Sequence, residues 1–239
     1  MSWFSAKVSG VRTAKIVIDR AIGSDWGPDW ISDLTNEKAA EDFIKSVDEL
    51  GKLDRIDIEI NSPGGDVASG LRIMNYLIEH PAQVRVNVTG MAASIAAMVM
   101  LAGDRRSMGI GTSVMINRAS TLMLGYYSSK ELEERAAAIT EIDAAIVTAY
   151  GTRTGRSKEG FNGLLDRGNV YMGADEAIEW GFATEKDAKL KAVACADPAQ
   201  FHQQIQMQGR IRAAQARAKG LGVRRPDFKK AYSQLNNQP

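Results

Sequence analysis

Two short runs of glycine and small residues, each placed after a strand-like stretch, restrict this chain more than any other feature. Arg55 to Ile60 (RIDIEI) leads into Asn61-Ser62-Pro63-Gly64-Gly65-Asp66, and Val84 to Val88 leads into Gly90-Met91-Ala92-Ala93-Ser94-Ile95-Ala96-Ala97. A strand that ends in glycines and reopens as a helix is the turn of a strand-helix-strand unit. Such units pair their strands in parallel and cover the sheet with helices.

The remaining pattern keeps the alternation. Lys15 to Asp19 (KIVID) reads as a strand, and Glu37 to Leu50 places Ala40, Phe43, Ile44, Val47 and Leu50 on one helical face. Gly64, Gly65 and Asp66 open a helix whose Val67, Leu71, Met74, Leu77 and Ile78 share a face until Pro81 stops it. Met91 to Ala102 is apolar nearly all round and predicts a buried core helix. At about 12 residues it is too short for a bilayer, which needs roughly 20. Ser113 to Ile116 reads as a short strand. Ser128 begins a long amphipathic helix to about Tyr150, with Leu132, Ala136, Ile139, Ile142 and Ile146 expected inward, and Ala174 to Trp180 is a last short helix ended by Gly181.

Composition agrees with one substantial α/β domain and a tail. Of 239 residues, 44% are hydrophobic and 25% charged, and the net charge of +1 gives no global attraction to nucleic acid or membrane. Cys195 is the only cysteine, so no intrachain disulfide forms. The opening MSWFSAKVSG lacks the pattern of a secretory signal, so a cytoplasmic location is expected. The charge is unevenly distributed: from Asp187 onward ten Lys and Arg face three Asp, a net +7, which leaves −6 for residues 1–186. A domain at 1–186 and a basic, Ala- and Gln-rich tail at 187–239, partly helical or disordered, are expected from this shift. No internal repeat is found.

The chemistry belongs at the two turns. Both fall at the carboxyl ends of expected parallel strands, where open α/β sheets bind ligands. Backbone N–H groups of the first turn point outward at a helix start, which suits an oxyanion. In the second, Ser94 stands among small residues that let a peptide backbone approach. Singly, the first is also an ordinary tight turn and the second a helix-packing serine. Together they make a candidate nucleophile facing a candidate oxyanion site.

The stretch INSPGGDVASG, then VTGMAASIAAMVMLAGDRR, then SVMIN and MGADEAIEWGF, resembles the Clp protease proteolytic subunit family over roughly residues 13–186. The GGDV and AASIA wording is most similar to head-maturation (prohead) proteases of tailed phages. The resemblance implies a ClpP/crotonase-like fold of repeated β-β-α units, with Ser94 as nucleophile and the N–H groups of Gly65 and Ile95 as oxyanion hole. It implies that the helix from Ser128 is a protruding handle, that copies assemble into rings, and that the substrate is a polypeptide, here a phage capsid or scaffold protein. Neither a cofactor nor a metal is implied. Ring size, cleavage preference and any ATPase partner stay open.

Two departures bear on activity. The family's base histidine follows the strand ending Val114-Met115-Ile116, and here that residue is Asn117. An amide has no useful basicity near neutral pH, and loss of the base costs about 10⁴ to 10⁶ in turnover. The acid position falls on Asn169, with Asp166 three residues earlier as the alternative. His80 is expected at the far end of its strand from Ser94, as a helix-terminal cap, and His202 lies in the tail. No lysine stands in either turn or in the strand before Asn117, and Arg105, Arg106 and Arg118 stay protonated. A Clp-type serine endopeptidase, inactive or strongly impaired as written, is therefore expected. A non-catalytic ring or assembly subunit that binds a partner through its basic tail is the rival. A crotonase-type enzyme acting on CoA thioesters is a further one, opposed by Ser94 within GMAAS.

Overall fold

The structure, a computed structural model, describes residues 2–23, 38–121 and 125–187. Cys195, His202 and the rest of the tail beyond Asp187 lie outside the described residues. Contacts divide the chain into two compact units, one of residues 1–120 and 135–196, the other of residues 121–134 and 197–239. In the second unit the described part carries a reciprocal cap. Glu131 accepts hydrogen bonds from the Ser128 N–H and hydroxyl, both at 2.8 Å, and the Ser128 hydroxyl accepts the Glu131 N–H.

The first unit is an eight-stranded sheet with helices. Its elements begin β1 (Phe4–Gly10), β2 (Thr13–Ile18), α1 (Ala39–Asp48), β3 (Arg55–Ser62), α2 (Val67–Glu79) and β4 (Gln83–Ala93). They continue with α3 (Ile95–Met100), β5 (Arg105–Met108), β6 (Ser113–Ile116), the long α4 (Ser129–Thr154), which belongs to this unit from Arg135 onward, α5 (Lys158–Leu165), β7 (Val170–Met172), α6 (Ala174–Glu179) and β8 (Glu185–Lys186). The strand order is β1-β2-β3-β4-β5-β8, and all of these pairs are parallel except β1 with β2. Period-two alternation sends Ile16, Ile58, Val86 and their neighbours inward, fully buried in one cluster with Phe43 and Val47 of α1, Ile73 and Leu77 of α2, and all of α3. The other face carries Lys15, Asp57, Glu59 and Arg85, all partly exposed.

Strand β4 serves two partners on one edge. Arg85 to Val88 pair with β5, and Met91 to Ala93 pair with β6, which in turn pairs antiparallel with β7. The change of partner is made by a bulge. Ile60 pairs with Val88 but Ser62 pairs with Ala92, so three residues of β4 stand opposite Asn61 alone. The Asn61 carboxamide oxygen accepts the Met91 N–H at 3.2 Å, and a Cβ on Gly90 would lie 2.4 Å from that oxygen. Any larger residue there would displace the Asn61 carboxamide from the bulge.

Several expectations are corrected. The apolar run at Met91 is not helical from its start: Met91 to Ala93 continue β4, because β6 offers them a parallel ladder, and the helix begins at Ile95. Leu132 and Ile142, expected inward on the long helix, are 49% and 39% exposed, and Ala136 is exposed as well. Burial on α4 begins at Asp143 and continues at Ile146, Val147 and Tyr150. Strand β5 gave no signal because its sequence is RRSM. Its Arg106 is buried by donating to the carbonyls of Phe182, Gly103 and Gly181.

Helices α2 and α3 meet at Gly70, where a Cβ would lie 2.2 Å from Cγ1 of Ile95. Gly70→Val should therefore force Ile95 aside and destabilise the fold by about 1–3 kcal/mol, the usual cost of overpacking a core. Chemical denaturation of the two proteins measures the difference.

Candidate active site

Every residue from Asn61 to Asp66 except Pro63 has an identifiable task in shaping the first turn. Asn61 fills the β4 bulge. The buried Ser62 hydroxyl donates to the Arg20 carbonyl at 2.6 Å and accepts the Gly64 N–H at 3.3 Å. Gly64 (φ 106°) and Gly65 (φ 143°) take backbone conformations that side chains disfavour. A Cβ on Gly65 would meet the Ile22 carbonyl oxygen at 2.1 Å, while a Cβ on Gly64 would lie 2.8 Å from Cβ of Ser94. The first turn is thus wedged between Ile22 and Ser94. Asp66 ends the turn as N-cap of α2, its carboxylate accepting the Ser69 N–H at 2.7 Å.

The N–H groups around this wedge are unequally used. Gly64 donates to Ser62, and Asp66 donates to the Ile22 carbonyl at 2.9 Å. The Gly65 N–H between them has no such partner among the described residues. Ile95 opens α3, so its N–H precedes the first intrahelical bond.

Ser94 is the junction between β4 and α3. It is partly exposed, its N–H donates to the Met115 carbonyl at 2.7 Å, and its backbone sits at φ 54°, ψ −125°. A non-glycine residue there costs about 1–3 kcal/mol and persists only when its surroundings impose it. Here the β6 ladder imposes it from one side and helix α3 from the other.

Strand register places the two asparagines. Ala93 pairs with Met115, and Met115 with Tyr171; one step on, Ile116 pairs with Val170. Continuing the antiparallel ladder by one residue sets Asn117 opposite Asn169. Ser94, Asn117 and Asn169 thus end three neighbouring strands spaced about 4.8 Å apart. The Asn117 carboxamide oxygen is buried without a hydrogen-bond partner, whereas Asn169 is exposed.

Asp166 is engaged elsewhere. It ends α5 and contacts the Arg118 guanidinium at 2.5 Å, while a second nitrogen of Arg118 lies 3.5 Å from Asp143. The buried Asp143 also accepts the Ala119 N–H at 2.7 Å. It ties the segment after Asn117 to α4, a support that the sequence reading missed. Its only signal was an acid flanked on the helix face by Ile139 and Ile146. His80 ends α2, accepts the Ala82 N–H on Nδ1 and packs edge-on against Tyr76. Burial lowers its pKa from the ordinary value. From Gln83 to Ala93 strand β4 spans about 30 Å at 3.3 Å per residue, so His80 is remote from Ser94. No group of three or more His, Cys, Asp or Glu suited to a metal ion occurs among the described residues.

This geometry can be set beside known proteins. Residues 30–185 match the Clp protease family. The chain belongs to that family. It is 31% identical over 157 residues to the ATP-dependent Clp protease proteolytic subunit 1 of Chlamydia muridarum, covering 64% of this chain and 81% of the relative. The corresponding subunit of Chlamydia trachomatis is 30% identical over 170 residues, covering 69% and 88%. An asparagine-to-aspartate mutant of ClpP1 from Listeria monocytogenes superposes with a TM-score of 0.60 at 27% identity, covering 75% of this chain and 95% of that one. The mixed sheet with its helices is a ClpP-like fold, and the family is one of serine peptidases.

The strain at Ser94 gives a measurable signature. Ser94→Gly should stabilise the Clp-family domain by about 1 kcal/mol by relieving the positive φ, whereas Ser94→Ala, which keeps a Cβ, should show no such gain. Urea melts of the three proteins decide this.

Proposed function

We propose that the chain is a Clp-type serine endopeptidase scaffold in which Ser94 is the nucleophile, the Gly65 and Ile95 N–H groups form the oxyanion hole, and Asn117 and Asn169 stand at the base and acid positions. The observation that carries this is the run of three adjacent strand ends, β4, β6 and β7, that brings these positions into one line beside the Gly64-Gly65 wedge. Attack by Ser94 on a peptide carbonyl would form a tetrahedral intermediate whose oxygen is received by the two N–H groups, with collapse giving an acyl-serine. The missing step is removal of the serine proton. A carboxamide at position 117 accepts a hydrogen bond but carries no proton away, so this chain is strongly impaired or inactive.

The register supports Asn169 over Asp166 as the acid position, and the ion pair to Arg118 gives Asp166 another task. The polypeptide substrate that best fits the GGDV and AASIA wording is a phage capsid or scaffold protein, cleaved in head maturation in the host cytoplasm or the procapsid. Assembly into rings uses the exposed apolar side of α4. No described helix is long and apolar enough to cross a membrane.

The second reading is a non-catalytic assembly subunit, with the basic tail as contact for an acidic partner. It is favoured by the amides at both proton-handling positions and by the unpartnered Asn117 oxygen.

Two experiments test the proposal. Asn117→His should bring peptide hydrolysis and labelling of Ser94 by a fluorophosphonate at least ~10²-fold above the unaltered chain, and adding Asn169→Asp should raise both again. No gain in either variant would favour the assembly subunit; efficient Ser94-dependent hydrolysis by the unaltered chain would show a base elsewhere. For the handle, Ile142→Asp should weaken self-association in sedimentation about tenfold or more, since an exposed apolar side chain is replaced by a charge at the contact.

A further inference from the structure

The turn that carries the Gly65 N–H owes its orientation to hydrogen bonds rather than to side-chain bulk. Close contact requires glycine at both positions, since a Cβ on Gly64 would lie 2.8 Å from Cβ of Ser94 and one on Gly65 would lie 2.1 Å from the Ile22 carbonyl oxygen. The same two glycines leave the peptide between them without the steric restraint that a Cβ on either side would impose. Its direction must therefore be set by its partners.

The chain after β2 runs on beside the turn, and Ile22 forms a parallel bridge with Gly65. The Ile22 N–H donates to the Gly64 carbonyl at 2.7 Å, and the Ile22 carbonyl accepts the Asp66 N–H at 2.9 Å. A trans peptide is planar, so its C=O and N–H point in opposite directions. Aiming the Gly64 carbonyl at Ile22 thus aims the Gly65 N–H away from Ile22. In the strand order β2-β3-β4, the other side of the turn belongs to the continuation of β4, which is Ser94.

One buried side chain secures both parts of this arrangement. Ser62 is fully buried, and its hydroxyl donates to the Arg20 carbonyl at 2.6 Å, which ties down the segment that carries Ile22. The same oxygen accepts the Gly64 N–H at 3.3 Å and so fixes the peptide that precedes the Gly64–Gly65 peptide. We propose that Ser62 is a positioning residue for the oxyanion hole, a role that rests on the reading of Gly65 and Ile95 as its donors. Its hydroxyl holds the Ile22 segment and the glycine turn in the register that points the Gly65 N–H toward Ser94. Complete loss of one oxyanion donor costs about 10²–10³ in turnover, and loosening its support costs about tenfold. The oxyanion exists only in the transition state, so the loss falls on kcat and spares KM.

Peptide hydrolysis by the full chain carrying Asn117→His and Asn169→Asp tests this, with Ser62→Ala added. The addition should lower kcat about tenfold and leave KM within about twofold. Ser107→Ala is the control: its hydroxyl is also buried and donates to Glu185 at 2.9 Å, but it belongs to β5, so its loss should leave kcat unchanged. Ser62→Cys keeps the shape with a weakly hydrogen-bonding thiol and should act as Ser62→Ala does, which preserves the test where the alanine variant does not fold. A kcat that Ser62→Ala leaves unmoved, or that Ser107→Ala lowers equally, would overturn the proposal. Absence of any hydrolysis before Ser62 is altered would instead defeat the catalytic reading, and crystal structures of the unaltered chain and of Ser62→Ala then decide the positioning role alone. A Gly65 N–H directed at Ser94 in the first and rotated away in the second supports it; the same peptide orientation in both overturns it.

Discussion

The change of partner along one edge of β4 is the constraint on which the site depends. A strand of this length would ordinarily pair with a single neighbour. Here the bulge opposite Asn61 re-aims the strand after Val88, so β5 is left behind and β6 takes over at Met91. Without the bulge, Ser94 would continue a flat sheet, and the Gly64-Gly65 turn would have no serine beside it. With it, Ser94 ends the strand against Gly64 on one side and the β6 carbonyl of Met115 on the other. The strained dihedrals of Ser94 follow from these two contacts.

The fold was legible in the sequence where its two periodicities were clean. The burial faces of β2, β3, β4 and α2 follow from alternation and from the spacing of Val67, Leu71, Met74 and Leu77. The close approach of the two turns at Gly64 and Ser94 was legible because small residues and glycines cluster where backbones must touch. What was not legible depends on partners distant in sequence. Met91 to Ala93 read as helix because their apolar character is compatible with either state, and only the ladder offered by β6 decides between them. Arg106 reads as surface, yet three carbonyls from the segments Gly103 and Gly181–Phe182 make its burial possible. The family resemblance supplied the roles proposed for Asn117 and Asn169. Their alignment became visible only in the pairing of β6 with β7.

The exposed stretch of α4 shows a different limit of sequence reading. An apolar stripe on a helix states that something covers it, without stating what. Leu132 and Ile142 stay 49% and 39% exposed, whereas Asp143, Ile146, Val147 and Tyr150 of the same helix are buried. The transition falls at a buried carboxylate that holds the Ala119 N–H and lies near Arg118, so the point where α4 enters the core is also where the segment after Asn117 is anchored.

In the proposed reading, the proton relay and the oxyanion site are separable. The relay needs chemistry at the ends of β6 and β7, where two side chains decide everything. The oxyanion site needs only backbone, and its geometry is set by the bulge, the Ser62 hydrogen bonds and the close approach of Gly64 to Ser94. If Asn117 and Asn169 stand at the base and acid positions as proposed, two amides there remove basicity and leave the backbone frame standing. The Asn117 oxygen is buried with no hydrogen-bond partner among the described residues, and a buried carbonyl left unpaired costs about 1–3 kcal/mol. A ring nitrogen at this position would have two possible partners across the strand ends, the Ser94 hydroxyl and a carboxylate at position 169. An amide in its place can accept a hydrogen bond but cannot carry the proton away.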